Sequence, residues 1–287
     1  MPTNILTVDL EDWFVVENLK ENIDFREWDE LPSRVVGNTE RLLDLFERHE
    51  VRATFFVLGW VADRFPALID EIAAAGHEIA CHSYRHLMVK KADKELFRLD
   101  TEMAIKAIRN ACGIAPVGYR APSWSIDSTA KWAFEVLADL GFTYDSSLFP
   151  IKHDIYGDPS APNEIFKMKF EDGRVLHEIP ASTVKVLGKR LPVCGGGYLR
   201  HSPLWYTAGI IRKMNRLGQP AVLYVHPWEL DNNMPRLKGL SLLQKYRQYG
   251  SISTLLRKLN YLLGEFEFCP AREYLETLNR KPIGFER

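Results

Sequence analysis

The sequence predicts an α/β fold, a barrel of parallel strands inside a ring of helices. Three observations carry that prediction: short apolar runs alternate with helical patterns, glycines and prolines punctuate them, and chemically versatile residues directly follow several of the runs. With 287 residues, 46% hydrophobic and 26% charged, the chain can bury one large core and is too apolar for disorder. Over this length a barrel is expected ahead of an open doubly wound sheet. No linker composition, internal repeat or low-complexity tract appears. A single domain over residues 1–287 is therefore expected, with about 230–287 forming a helical extension packed on the barrel.

The first strand is expected at Asn4 to Val8, an apolar run long enough to be buried on both faces. A helix from about Ser33 to His49 leads to a strand within Val51 to Leu58, and a second helix from about Val61 to Ala75 stops at Gly76. The rhythm continues with a strand at His77 to Cys81, a long helix within Lys94 to Cys112, and a strand near Val117 to Tyr119. A helix from Ser128 to Leu140 follows, then Gly141 to Tyr144. Between about 147 and 200 the pattern weakens. Five prolines, at 150, 159, 162, 180 and 192, and one strand candidate at Val175 to Ile179 suggest an elaborated loop or β-excursion. Regularity returns with a helix at Leu204 to Leu217, a strand at Ala221 to Val225, and helices at Ser253 to Leu263 and Ala271 to Leu278.

The balance of 37 basic against 38 acidic residues gives no electrostatic case for nucleic acid, and a neutral partner such as a carbohydrate fits. Cys81, Cys112, Cys194 and Cys269 are scattered without a Cys-x-x-Cys pair, which predicts buried thiols in a reducing compartment. No run approaches the length of a membrane span, and the N-terminus lacks a basic segment followed by an apolar stretch, so a cytoplasmic location is expected. The amphipathic stretch Leu204 to Leu217 reads as a core-facing helix ahead of a membrane-surface one.

In a parallel α/β fold, ligands bind at the carboxyl ends of the strands. Five segments occupy such positions: Asp9 to Trp13, His82 to His86, Gly118 to Trp124, Tyr144 to Ser147, and Tyr224 to Glu229. In His82-Ser83-Tyr84-Arg85-His86 two imidazoles stand four residues apart, a spacing that shares a face on a helical turn and lets two ring nitrogens converge on a metal. Alone, such a pair is more often two solvated surface histidines. A catalytic metal site also needs a third protein ligand and an open position for water, and the cluster Asp9-Leu10-Glu11-Asp12 supplies carboxylates at a strand end. The plainer alternative for Asp9 or Asp12 is a helix cap.

Taken in order, these segments resemble the polysaccharide deacetylases with the NodB homology domain, also called carbohydrate esterase family 4. The likeness runs from Thr7 to about Glu229. It is most similar to a subgroup found in exopolysaccharide loci with exosortase systems, through Thr7-Val8-Asp9-Leu10-Glu11-Asp12-Trp13, Thr54 to Trp60, Gly195-Gly196-Gly197-Tyr198 and His226-Pro227-Trp228-Glu229. The resemblance implies a distorted (β/α) barrel and metal-dependent hydrolysis of an N-acetyl group on a sugar. By family position Asp9 would be the general base, His82 and His86 metal ligands, Arg120 the residue that orients the base, and His226 the general acid, with Asp145 its tuning partner. The backbone N–H of Ser123 would serve the oxyanion. The family's Asp-Asp pair is here Asp9-Leu10-Glu11-Asp12, a departure that leaves two candidates for the third ligand: Asp12 is preferred, with Glu11 the alternative. Zinc is the expected metal, with cobalt, nickel or manganese also suited to two imidazoles and a carboxylate.

These roles also make chemical sense. A divalent ion acidifies a bound water and polarises the carbonyl. Asp9 can then accept the water proton, and pairing with Arg120 would hold it charged and aimed. A departing amine must be protonated, and histidine suits that step near neutral pH. Each residue also has a structural reading: Arg120 as a salt-bridge residue, His226 as a satisfied strand-end histidine, Asp145 as a cap or Asx-turn. Trp124 and Tyr198 are candidates to stack on a sugar, although aromatics more often fill cores. The triple glycine lacks the Lys and Ser/Thr of a phosphate loop and reads as a close-approach turn. His49, His77, His153, His177 and His201 have no such context and receive no role.

The expected partner is thus an N-acetylated glycan of an exopolysaccharide pathway. If it is lipid-linked, a peripheral position at the inner membrane face would let a soluble enzyme reach it. Two other readings remain: an allantoinase-like amidohydrolase acting on a small non-sugar C–N bond, and a catalytically silent carbohydrate-binding protein. Metal-free members of the former make His82 and His86 superfluous, and the latter would be expected to have lost Asp9 or His226.

Overall fold

The strand read first in the sequence is the centre of the molecule. The computed structural model describes residues 3–153, 156–186 and 188–280. Among them the strands are β1 (Asn4–Leu10), β2 (Thr54–Val57), β3 (Glu78–Cys81), β4 (Gly118–Tyr119), β5 (Tyr144–Asp145), β6 (Phe166–Lys169), β7 (Val175–Glu178), β8 (Thr183–Val186), β9 (Lys189–Pro192), β10 (Val222–Val225) and β11 (Phe268–Cys269). The helices are α1 (Val35–Arg48), α2 (Gly59–Arg64), α3 (Pro66–Ala74), α4 (Lys94–Cys112), α5 (Trp132–Asp139), α6 (Gly196–His201), α7 (Leu204–Arg216), α8 (Leu242–Tyr249), α9 (Ile252–Glu265) and α10 (Ala271–Arg280).

All seven residues of β1 are buried, as a central parallel strand covered on both faces requires. The sheet runs β10-β1-β2-β3-β4-β5-β7-β6, parallel from β10 to β7, with β6 antiparallel at the edge. It curls into a half-barrel. Where the sheet's ends approach, no ladder closes it among the described residues: Gly195 makes a single parallel bridge to Tyr224, and the Val222 N–H donates to Ser182 Oγ at 2.8 Å. The β8–β9 hairpin leaves as a separate two-stranded sheet. This is the β-excursion expected between 147 and 200, and it is what distorts the barrel.

Local chemistry explains most boundaries. Helix α4 opens on Asp93, whose carboxylate accepts from the Leu96 N–H, and ends at Gly113 with φ +74°, a left-handed position that favours glycine. The single helix expected over 61–75 is two. It begins earlier, at Gly59, and breaks at Phe65 (φ −132°, ψ 58°), because Pro66 lacks an N–H and drives the residue before it out of the α region. The helix expected from Ser128 begins only at Trp132. The C-terminal part is not purely helical, since β11 pairs with Asn4 and Ile5 of β1. Its last seven residues, 281–287, lie outside the described residues.

The main core lies between the sheet and the surrounding helices. In it Phe14, Trp28 and Trp60 pack with ring centroids 5.5–5.8 Å apart, fixing the segment that leaves β1. Cys81, Cys194 and Cys269 are buried as expected, whereas Cys112 is half-buried at the end of α4. Among the described residues no helix is long and apolar enough to cross a membrane.

Candidate metal centre and cleft

The carboxyl ends of β1 and β3 bring Glu11, His82 and His86 together, and one ligand atom from each lies within 4.8 Å of the others. All three are buried. Glu11 Oε2 stands 3.1 Å from His86 Nε2 and 4.0 Å from His82 Nε2, and it has no hydrogen bond among the described residues. His82 Nδ1 lies 2.8 Å from the Arg120 carbonyl, which can only accept, so the proton sits on Nδ1 and Nε2 turns a lone pair toward the site. Burial also pushes the His82 pKa down to about 4, favouring the neutral ligand form. Burial raises the Glu11 carboxyl, but the His86, His226 and His82 rings more than offset this and bring it to about 2. An unbonded buried carboxylate oxygen facing two imidazole nitrogens is the donor set that a divalent cation completes.

The two histidines reach this geometry by a route other than the expected helical turn. Residues 82–86 are a loop in which Ser83 and His86 take positive φ, +67° and +57°. Asp100 of α4 holds that strained path by accepting from Ser83 Oγ (2.5 Å) and Tyr84 N (2.9 Å).

The preference for Asp12 as third ligand is corrected. Its carboxylate accepts from Trp13 N, Ser33 Oγ, Arg34 N and Val35 N at 2.5–3.2 Å, capping the start of α1. Those bonds turn it away from the histidines, so Glu11 takes the position.

Asp9 and Arg120 meet as expected. Arg120 is fully buried, and its Nη1 donates to Asp9 Oδ1 (2.6 Å) and Thr7 Oγ1 (2.9 Å) while Nε and Nη2 donate to the Ser146 carbonyl and Oγ. Its guanidinium carbon lies 4.0 Å from the Phe56 ring centre and 4.5 Å from that of Trp124. Every degree of freedom that could misalign the Asp9 pair is thereby used.

His226 projects beside them, Nε2 3.8 Å from Asp9 Oδ2 and 3.7 Å from Glu11 Oε1. Asp145 is not its partner, which is a second correction. Asp145 accepts from Ser147 N and Oγ and lies beside Glu178, where burial raises both carboxyls. Ser147 Oγ in turn accepts from the Ala121 N–H, so Asp145 steadies the Arg120–Pro122 segment. His226 Nδ1 instead meets Glu229 Oε2 at 2.9 Å. Burial lowers the His226 pKa, but Glu229 first, then Glu11 and Asp9, outweigh it and raise it to about 9. Glu229 also accepts from Arg200 Nε at 2.7 Å, and Arg200 donates to the carbonyls of Gly250 and Arg247. The sequence contained this pair at i, i+3 in His226-Pro227-Trp228-Glu229; that spacing was the available signal.

Ser123 lies on the cleft wall with φ +51° and ψ 32°, and its N–H makes no hydrogen bond among the described residues. Trp124 borders the cleft but packs on Phe149 and Tyr224, so much of its face serves the core. Tyr198 lines the cleft with its hydroxyl 2.8 Å from that of Tyr156. The cleft holds about 540 Å³ and is lined by Glu11, His82 and His86 together with His153, Tyr156, Tyr198, His201 and Tyr246. His201 stacks on Tyr246 at 4.1 Å; neither it nor His153 had sequence context. Gly195 brings the triple glycine against Tyr224: a Cβ there would fall 2.0 Å from the ring, so the close-approach turn is present.

Residues 26–144 match the family model described as polysaccharide deacetylase, and residues 146–276 match one described as a domain of unknown function (DUF3473). The first of these segments belongs to the polysaccharide deacetylase family. The chain's deacetylase segment is similar to the peptidoglycan-N-acetylglucosamine deacetylase of Bacillus cereus, 35% identical over 98 residues, which is 34% of this chain and 36% of that protein. It is likewise similar to the chitooligosaccharide deacetylase of a Bradyrhizobium species, 36% identical over 110 residues, 37% of this chain and 50% of the relative. The matches thus span between about a third and half of these relatives. Over nearly the whole chain, the fold matches a crystal structure from Mycobacterium smegmatis assigned to the polysaccharide deacetylases (TM-score 0.62, 22% identity, 99% of this chain and 94% of that one). It also matches PuuE allantoinase (TM-score 0.62, 14% identity, 97% and 90%). The deacetylase fold is therefore established over both matched segments. Strands from the two share one sheet, β2 to β4 from the first and β6, β7, β10 and β11 from the second, with β1, which precedes both, between β2 and β10.

Proposed function

We propose that this chain is a metal-dependent hydrolase that removes N-acetyl groups from an N-acetylated sugar, with Glu11, His82 and His86 as ligands and zinc as the metal. One observation carries the reading: a buried Glu/His/His donor set lines one cleft together with a third histidine, His226, and with Asp9, which is paired with the buried Arg120. The bound ion would acidify a water and polarise the acetyl carbonyl. Asp9, aimed by Arg120, accepts the proton of that water. The Ser123 N–H donates to the oxygen on which charge develops. His226, held protonated by Glu229, gives its proton to the departing amine, the step without which a C–N bond does not cleave. Trp124 and Tyr198 bound the space for the sugar. An exopolysaccharide under construction, free or lipid-linked and on the cytoplasmic side, is the setting that the motif likeness supports.

The test is metal content together with acetate release from N-acetylglucosamine oligomers, for the wild type and His82→Ala/His86→Ala. Near-stoichiometric metal and metal-dependent acetate release in the wild type alone are expected. Negligible metal in both would overturn the proposal and favour a metal-free amidohydrolase or a binding protein, whereas metal without acetate release would leave the centre and remove the substrate.

A further inference from the structure

Helix α8 is built inside out. Its buried side is polar: Gln248 is 1% exposed and donates to the Trp13 carbonyl, and Gln244 bonds to Asn18 and Asn22. Its outward side is apolar, with Leu242 85%, Leu243 56% and Tyr246 57% exposed. A surface helix normally shows the opposite pattern, because exposed apolar area is costly in water. Neighbouring residues extend the feature. His201 stacks on Tyr246, and four residues further on Trp205 is 74% exposed at the start of α7.

The chain segment that carries this ridge has charge of one sign, and Glu17, which lines the same cleft, is paired with Lys20 and Lys91. From Asn232 to Gly264 the chain contains no Asp or Glu and has six basic residues. Of these, Lys258 is buried and donates to the carbonyls of Leu199, Arg200 and Ser202. Lys238, Lys245 and Arg257 are exposed and make no ion pair among the described residues. Exposed leucines and aromatics flanked by unpaired cations match an interface that is apolar below and anionic above. Apolar side chains that would enter a headgroup region, with unpaired cations beside them to meet its phosphates, are the two elements that binding to an anionic lipid surface requires.

We infer that α8 docks the protein on an anionic lipid surface, Leu242, Leu243 and Tyr246 entering the headgroup region while Lys238 and Lys245 meet the lipid phosphates. Leu243 and Tyr246 also line the cleft, so the docked face is the cleft's own rim. A glycan held at the membrane would enter directly, and one free in solution would have to reach a mouth turned toward the bilayer.

The experiment is co-sedimentation of the full chain with vesicles of phosphatidylcholine alone and of phosphatidylcholine mixed equally with phosphatidylglycerol. It needs no turnover, so its result is separate from that of the acetate assay. Binding to the anionic vesicles, weakened by salt, is expected, with little binding to the neutral ones. Leu242→Ser/Lys245→Glu, at positions outside the cleft, should lower the partition coefficient by about tenfold or more with the fold unchanged by circular dichroism. A wild type that stays in the supernatant with both vesicles, or a double variant that binds as well as the wild type, would overturn the inference. So would a concentration-dependent dimer that Leu242→Ser abolishes, because a second copy would then be the occupant.

Discussion

Glu11 and Asp12 are adjacent in the chain and do unrelated work. One faces His86, while the other accepts four hydrogen bonds at the start of α1. Glu11→Gln should abolish metal retention, measured by elemental analysis, and leave thermal stability of the metal-free protein nearly unchanged. Asp12→Ala should retain metal yet lower unfolding free energy by roughly 2–4 kcal/mol in urea, since several buried donors lose their acceptor. The opposite pattern would restore Asp12 as ligand. At the same scale, Glu229 would set the acid of the proposed mechanism. Its charge opposes burial and raises the His226 pKa to about 9, so His226 stays protonated through neutrality and activity should fall as pH rises through that value. Glu229→Gln keeps the shape and removes the charge. It should move the alkaline limb of kcat/KM to lower pH and reduce the rate by about tenfold or more at about pH 8. An unmoved limb would sink this role. Of these residues the sequence made His82, His86, Asp9, Arg120 and His226 legible as candidates, because each lies at or within a few residues of the carboxyl end of a strand and in an ordered motif. It could not separate Glu11 from Asp12, because which of two neighbours turns inward depends on the backbone after the strand ends. Asp145 was misjudged for the same reason: its carboxylate is claimed by Ser147 two residues on.

At the scale of elements, apolar periodicity located the central strands and the long helices, and proline chemistry explains where it erred, at Phe65–Pro66. What escaped were short pieces whose existence rests on tertiary partners. The two-residue β11 exists only because β1 offers it an edge, and α8 has a pattern that no core-facing rule would select. The histidine loop shows the same limit. Four-residue spacing suggested a helical face, yet left-handed turns at Ser83 and His86, pinned by Asp100, bring the rings together. The seam between Gly195 and β10 is a further element set by packing. Gly195→Ala would press a methyl into the Tyr224 ring, and we expect a loss of about 1–3 kcal/mol in chemical denaturation, as for other overpacked sites. A neutral result would mean that the bridge can part without cost.

For the molecule as a whole, one buried histidine couples folding to acidity. His77 Nδ1 accepts from the Ala53 N–H, and burial lowers the ring's pKa from 6.5 to about 4. The folded state thus binds fewer protons than the unfolded chain between these values. The stability this gives is complete above about 6.5 and is lost as pH falls toward about 4, amounting to at most about 3 kcal/mol. Melting temperatures followed over that range should decline, and His77→Gln should flatten the decline; an equal slope in the variant would assign the acid sensitivity elsewhere. The curled sheet has a different consequence. Asp9 and Glu11 precede the first matched segment, His82, His86 and Arg120 lie inside it, and His226 with its Glu229–Arg200 support lies in the second. Neither matched segment alone carries all the residues of the proposed site. Because β1 lies between β2 of the first segment and β10 of the second, a recombinant that exchanged either segment alone would strand part of the proposed site and leave β1 without one of its neighbours.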